Sequence, residues 1–66
     1  MHIQLNGELR ELPTATSVAQ LLEQLELNPQ RVAVEVNGEL APRTQHHRTA
    51  LAEDDQVEIV TLAGGG

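Results

Sequence analysis

The sequence has no cysteine. Neither a disulfide nor a thiolate-ligated zinc can therefore support the fold. Phenylalanine, tyrosine and tryptophan are absent as well, which leaves leucine, valine and isoleucine to build an aliphatic core. Sixty-six residues suffice for one small domain with a thin apolar layer between a sheet and a helix. No apolar run is long enough to span a bilayer, so no membrane association is expected. The first residues, Met1-His2-Ile3-Gln4, form neither a basic nor an apolar leader, and a cytoplasmic location is expected. Lysine is missing, and the four basic residues, Arg10, Arg31, Arg43 and Arg48, are scattered. Phosphate-backbone binding needs clustered positive charge, so nucleic acid is not an expected partner. A formal charge of −6 instead suits steering toward a basic protein surface.

Against these absences stands the end of the sequence, Ala63-Gly64-Gly65-Gly66. Glycines directly after an apolar strand cannot be core. Lacking a Cβ, they can lie extended in a narrow slot and approach another surface closely. The group such a slot would receive is the α-carboxylate of Gly66. Residues 63–66 are accordingly expected to form a flexible tail on a domain spanning 1–62, with a frayed terminus or a cloning scar as the bland alternative. If the chain handles sulfur or acyl groups, no side chain can hold them as a thioester or persulfide. The carrying atom would then be the terminal carboxyl.

The pattern before the tail predicts its elements. His2 to Asn6 alternates polar and apolar, as a half-buried strand does. Asn6-Gly7 is a type I′ hairpin signal. A second strand over Glu8–Leu12 follows, although Leu9 and Leu12 cannot both point inward without a bulge or an early strand end. Val18, Leu21, Leu22 and Leu25 form one helical stripe, with Ser17 and Gln20 as a capping box and Glu23 and Glu26 toward solvent. Asn28-Pro29 is expected to end that helix. Val32, Val34 and Val36 share one face of a strand, and Asn37-Gly38 turns the chain. Leu40–Arg43 reads as a brief edge segment, 44–52 as irregular with a helical turn, and Glu53-Asp54-Asp55 as a polar turn. In the last strand, Gln56–Leu62, Val57 and Ile59 face one way and Val60 and Leu62 the other. The expected core is Val18, Leu21, Leu22, Leu25, Val34, Val36, Val57 and Ile59. The fold class is α+β: a ubiquitin-like β-grasp, a mixed sheet of four to five strands covered by one helix. The two apolar faces of the last strand suit a central position parallel to the first.

Several segments carry a more specific signal. Val32-Ala33-Val34-Glu35-Val36-Asn37-Gly38-Glu39, Pro42-Arg43, Asp54-Asp55-Gln56-Val57-Glu58-Ile59-Val60 and the terminal glycines occur in that order across almost the whole chain. Together with Leu-Leu-Glu-Gln-Leu at 21–25, this resembles the thiamine-biosynthesis sulfur carrier family (ThiS). Asp54 departs from the Gly-Asp turn usual there. The resemblance implies a carrier rather than an enzyme, with no bound cofactor. A ubiquitin-activating-type adenylyltransferase would use ATP to adenylate the Gly66 carboxylate. A sulfur donor such as a cysteine desulfurase would convert it to a thiocarboxylate, and thiazole synthase would take the sulfur. Gly64 and Gly65 would present the terminus. Carriers for tRNA thiolation or molybdopterin synthesis, and a ubiquitin-like protein modifier, are the alternatives.

The remaining candidates read more weakly. His46-His47 in a polar loop are expected to be solvated, and no metal site is expected from them or from Glu53-Asp54-Asp55. Arg43 matches a family position that contacts partners, with bonding to local carbonyls as the structural alternative. Val60 and Leu62, next to Ala33 if the strands pair as in a β-grasp, would form a docking patch beside the tail. Glu58 would be a rim charge. The competing reading has segment 44–52 covering Val60 and Leu62.

Overall fold

Both Asn-Gly pairs turn as their chemistry demands. Asn6 and Gly7 have φ of 51° and 84°, and Asn37 and Gly38 have 53° and 82°, the paired positive values of a type I′ turn. The structure, a computed structural model, describes residues 1–62. The tail 63–66, with Gly64, Gly65 and Gly66, lies outside the described residues. The first turn joins β1 (His2–Leu5) to β2 (Glu8–Glu11), and the second joins β3 (Val32–Val36) to β4 (Glu39–Leu40). β5 (Gln56–Thr61) completes a sheet of order β2-β1-β5-β3-β4. β5 is central, parallel to β1 and antiparallel to β3, and α1 (Val18–Gln24) lies over one face. This is the expected β-grasp.

Ser17 and Gln20 close the capping box of α1 in both directions, with bonds of 2.9 and 3.1 Å. Val18, Leu21 and Leu22 then bury against Ile3, Val34 and Val57 of the sheet. Leu12, Val32, Ala41 and Leu51 extend the core. Leu25, Val36 and Ile59, expected in the core, pack against it only half-buried. The Leu9–Leu12 conflict resolves without a bulge. β2 stops at Glu11, Leu9 points outward at 67% exposure, and Leu12 is buried where its N–H meets the Met1 carbonyl at 2.8 Å.

Three expectations need correction. The helix does not run to Asn28-Pro29. It ends at Gln24, and Glu26 takes a left-handed φ of 57°. Glu26 N–H bonds Glu23 O, and Leu27 N–H bonds Leu22 O, both at 3.0 Å, which is the Schellman pattern. Asn28 instead caps a 3-10 turn, Pro29–Arg31. The edge segment is Glu39–Leu40 rather than Leu40–Arg43, because Pro42 cannot donate to the ladder and the chain leaves the sheet there. The helical turn within 44–52 is a 3-10 helix, Arg43–Arg48, in which His46 is buried rather than solvated. His46 Nε2 donates to Ala41 O at 3.0 Å, tying this helix to the end of β4. Its Nδ1 is buried without a partner among the described residues.

The left-handed Glu26 yields a stability prediction. A non-glycine residue there costs about 1–2 kcal/mol, whereas glycine's added unfolded-state freedom costs about 0.4–1 kcal/mol. The first effect is larger, so Glu26→Gly is expected to stabilise by about 0.5–1 kcal/mol, several degrees in melting midpoint. A midpoint unchanged or lowered in thermal circular dichroism would count against this end of the helix.

Asp54, the departure from the family's Gly-Asp turn, has φ of 68°, so the backbone adopts the glycine-like conformation without glycine. The turn is stitched to β1. Asp54 N–H donates to His2 O at 2.8 Å, and His2 N–H donates to the Glu53 carboxylate at 3.1 and 3.2 Å. Among the described residues no helix is long and apolar enough to cross a membrane.

Candidate functional site

The strand that leads toward the glycines presents two different faces. Val57 and Ile59 of β5 point toward α1, whereas Glu58 and Val60, and Leu62 just past the strand, point away from it. Val60 is 53% exposed and Leu62 45%. Both are large apolar groups left in water on the sheet face opposite the helix. Leu62 is still tied down just ahead of β3, since its N–H donates to Arg31 O at 2.9 Å. Ala33 of β3 lies directly opposite Val60, as the β-grasp pairing required.

The structure brings Leu62 and Arg43 together. They line one shallow depression with Ala33, Leu40, Pro42 and His46, so residues nearly twenty positions apart border the same hollow beside the end of β5. Arg43 is exposed, at the start of its 3-10 helix. Leu40, 65% exposed, was not singled out from the sequence. Its signal is parity: across the Asn37-Gly38 hairpin it pairs with Glu35, an outward residue.

The reading in which 44–52 covers this patch does not hold. That segment packs on the helix side instead. Val18 N–H donates to Thr49 O and Leu51 N–H to Thr16 O, each at 2.9 Å, and Ser17 bridges Ala50. Its geometry therefore leaves the outer face of β5 and β3 open. The other titratable clusters serve the fold. The Asp55 carboxylate accepts from Ala52 N–H at 2.8 Å and from Asn37 Nδ2 at 2.9 Å, fixing the last turn against the second hairpin. His46 Nε2 is taken by its carbonyl bond while its Nδ1 stays buried without a partner among the described residues, and His47 is exposed. Among the described residues no cluster of three potential ligands could hold a metal.

Comparison with known proteins agrees with this architecture. The chain matches the ThiS family over residues 3–66. It is 44% identical over 64 residues to the uncharacterized protein ycf40 of Pyropia yezoensis, across 97% of this chain and 90% of that one. It is 41% identical over 66 residues to a thiazole synthase of Magnetococcus marinus, spanning 100% of this chain but 20% of that longer protein. The crystal structure of the thiamine biosynthesis protein (ThiS) from Geobacter metallireducens matches with a TM-score of 0.87 at 30% identity, covering 100% of both chains. A sheet with a central last strand, an open apolar outer face beside that strand's end, and a family match running through residue 66 lead to one conclusion: this chain belongs to the ThiS family of thiamine-biosynthesis sulfur carriers.

Proposed function

We propose that the Gly66 carboxylate is the group that carries sulfur. The observation that carries this reading is the family match reaching residue 66 in a chain without a single thiol. A carboxylate is ionised at neutral pH and resonance-stabilised, so it does not accept a sulfur nucleophile directly. Transfer of AMP from ATP to the carboxylate, with release of pyrophosphate, gives an acyl-adenylate. Hydrosulfide then displaces AMP and leaves –COS⁻. A persulfide donor, of the kind a cysteine desulfurase makes, gives an acyl disulfide that a thiol cleaves reductively to the same product. The adenylating partner is of the ubiquitin-activating type, and thiazole synthase takes the sulfur. In support of the last step, the thiazole synthase of Magnetococcus marinus contains, within one chain, a stretch similar to the whole of this one. The carrier supplies no acid, base or metal, and acts as co-substrate. Gly64 and Gly65, without side chains, let the terminus enter a buried site. Incubation with an adenylating enzyme, ATP and a sulfur donor is expected to raise the mass by about 16 Da, one oxygen replaced by sulfur. A mass gain equal to a whole protein would identify a modifier instead, and no gain would refute the carrier reading.

Val60, Leu62 and Arg43 form the docking surface in this reading. Leu62→Asp puts a charge into a contact that binding desolvates, which is costly when unpaired. Leu62 lies outside the buried core, so the free domain is expected to stay folded. Binding to the partner enzymes is expected to weaken at least tenfold, about 1.4 kcal/mol. Unaltered binding, measured by surface plasmon resonance, would move the docking surface elsewhere.

A further inference from the structure

His46 is an odd choice for a buried position in an aliphatic core. Only 5% of it is exposed, and Nδ1 is left without a partner among the described residues. Burying a polar atom unpaired costs free energy that a leucine in the same place would not cost. What histidine adds is one directed bond, from Nε2 to Ala41 O at 3.0 Å. A carbonyl only accepts, so the ring proton sits on Nε2. The acceptor is itself anchored. Ala41 N–H donates to Val34 O at 2.8 Å, and Val34 is a buried residue of β3. A short relay of bonds thus runs from β3 through Ala41 to the 3-10 helix Arg43–Arg48. Arg43 stands one turn before His46. Side chains at i and i+3 of a 3-10 helix eclipse, so Arg43 and His46 leave the same side of it. Both border the depression beside Leu62. Arg43 takes part in no ion pair among the described residues. Its direction therefore follows from the rotation of the helix that carries it, and the His46–Ala41 bond sets that rotation.

Resting on the docking role proposed for Arg43, we infer that His46 is a positioning residue for recognition of the adenylating partner. Buried in the free chain, it acts through Arg43 rather than by contact. It holds the 3-10 helix against the sheet, so that the Arg43 side chain starts beside Leu62. Two anchors then fix the two docking groups to one region of the fold. Leu62 is held through Arg31 O just ahead of β3, and Arg43 through the Ala41 carbonyl next to Val34. An arginine on a loose segment must be ordered when the partner binds, and that ordering weakens binding. A helix already held in place avoids this loss. A His46 that serves stability alone behaves differently. Its replacement lowers the melting point and changes binding by the same factor whether or not Arg43 is present, because the two residues then act independently.

The test is a double-mutant cycle in the full chain. It compares the parent, His46→Gln, His46→Leu, Arg43→Gln and each His46 variant combined with Arg43→Gln. Binding to a purified ubiquitin-activating-type adenylating enzyme is read by surface plasmon resonance, and melting by circular dichroism. His46→Leu fills the site without a donor and is expected to weaken binding about fivefold. His46→Gln, whose amide nitrogen can stand where Nε2 stood, is expected to bind within about twofold of the parent. With Arg43→Gln already present, His46→Leu is expected to cost less than about twofold, because its effect runs through the lost guanidinium. The same fivefold loss with and without Arg43 would overturn the inference, as would parent-like binding by His46→Leu. An independent loss of this kind leaves the docking role of Arg43 standing, provided that Arg43→Gln by itself weakens binding. If Arg43→Gln binds as the parent does, that role falls and the positioning role falls with it. Should His46→Leu not fold, His46→Asn takes its place, since its shorter amide cannot reach Ala41 O. If His46→Asn does not fold either, His46 serves the fold alone and the inference is refuted.

Discussion

Deletion of Gly65 and Gly66 is expected to abolish sulfur loading completely. The truncated chain would still end in a carboxylate, so chemistry alone would not forbid adenylation. Reach forbids it. Residue 62 is tied by its N–H to Arg31 O, and the bulk of the sheet stands immediately behind it. An extended residue adds at most about 3.3–3.6 Å of reach, so two fewer glycines withdraw the carboxylate by roughly 7 Å from the partner site proposed to receive it. A reacting atom displaced by even about 1 Å loses on the order of a hundredfold in rate, so loading falls below detection. The buried core runs from Ile3 to Val57, and the truncated chain is expected to melt as the parent does. Mass spectrometry after incubation with adenylating enzyme, ATP and sulfur donor is the measurement. Full sulfur uptake by a folded, truncated chain would show that another group carries the sulfur.

The second large effect falls on stability. Leu22 is 2% exposed and packs with Leu21 and Val18 against the sheet. It is also the residue whose carbonyl closes the Schellman motif with Leu27 N–H. Leu→Ala at a buried site costs roughly 2–5 kcal/mol in transfer energy and cavity. A domain of this size holds on the order of 3–10 kcal/mol in total. Each kcal/mol moves the midpoint by about 4–8 °C. Leu22→Ala is therefore expected to lower the midpoint by more than 10 °C and to unfold much of the population at physiological temperature. With no aromatic side chain to fluoresce, far-ultraviolet circular dichroism is the probe. Leu25→Ala, at a half-buried position, is expected to cost less. Equal melting of Leu22→Ala and the parent would mean that the helix buries a different face.

Much of this molecule was readable in order along the chain. The i, i+3, i+4 spacing of Val18, Leu21 and Leu22 determined which face of α1 is buried, because helix geometry puts those side chains on one stripe. Asn-Gly determined both hairpin turns, because glycine and asparagine tolerate positive φ. Alternation in Gln56–Leu62 determined that Val60 and Leu62 turn away from the helix. These are local constraints, and local constraints are written in the spacing of residues.

The tertiary structure decided what depends on partners distant in the chain. Leu9 and Leu12 were equally apolar in sequence, and only the end of β2 beside Met1 settled which one is buried. His46 looked like a loop residue until the Ala41 carbonyl, set by the end of β4, took its ring nitrogen. Glu35 and Glu58, more than twenty residues apart, became neighbours only through the β3–β5 register, and Leu40 joined their face through β4. Register across a sheet is set by how two separate strands dock together, and a one-residue slip would turn every such side chain to the other face. The sequence thus determined which residues point in and which point out along each element, and the docking of those elements decided which of them meet.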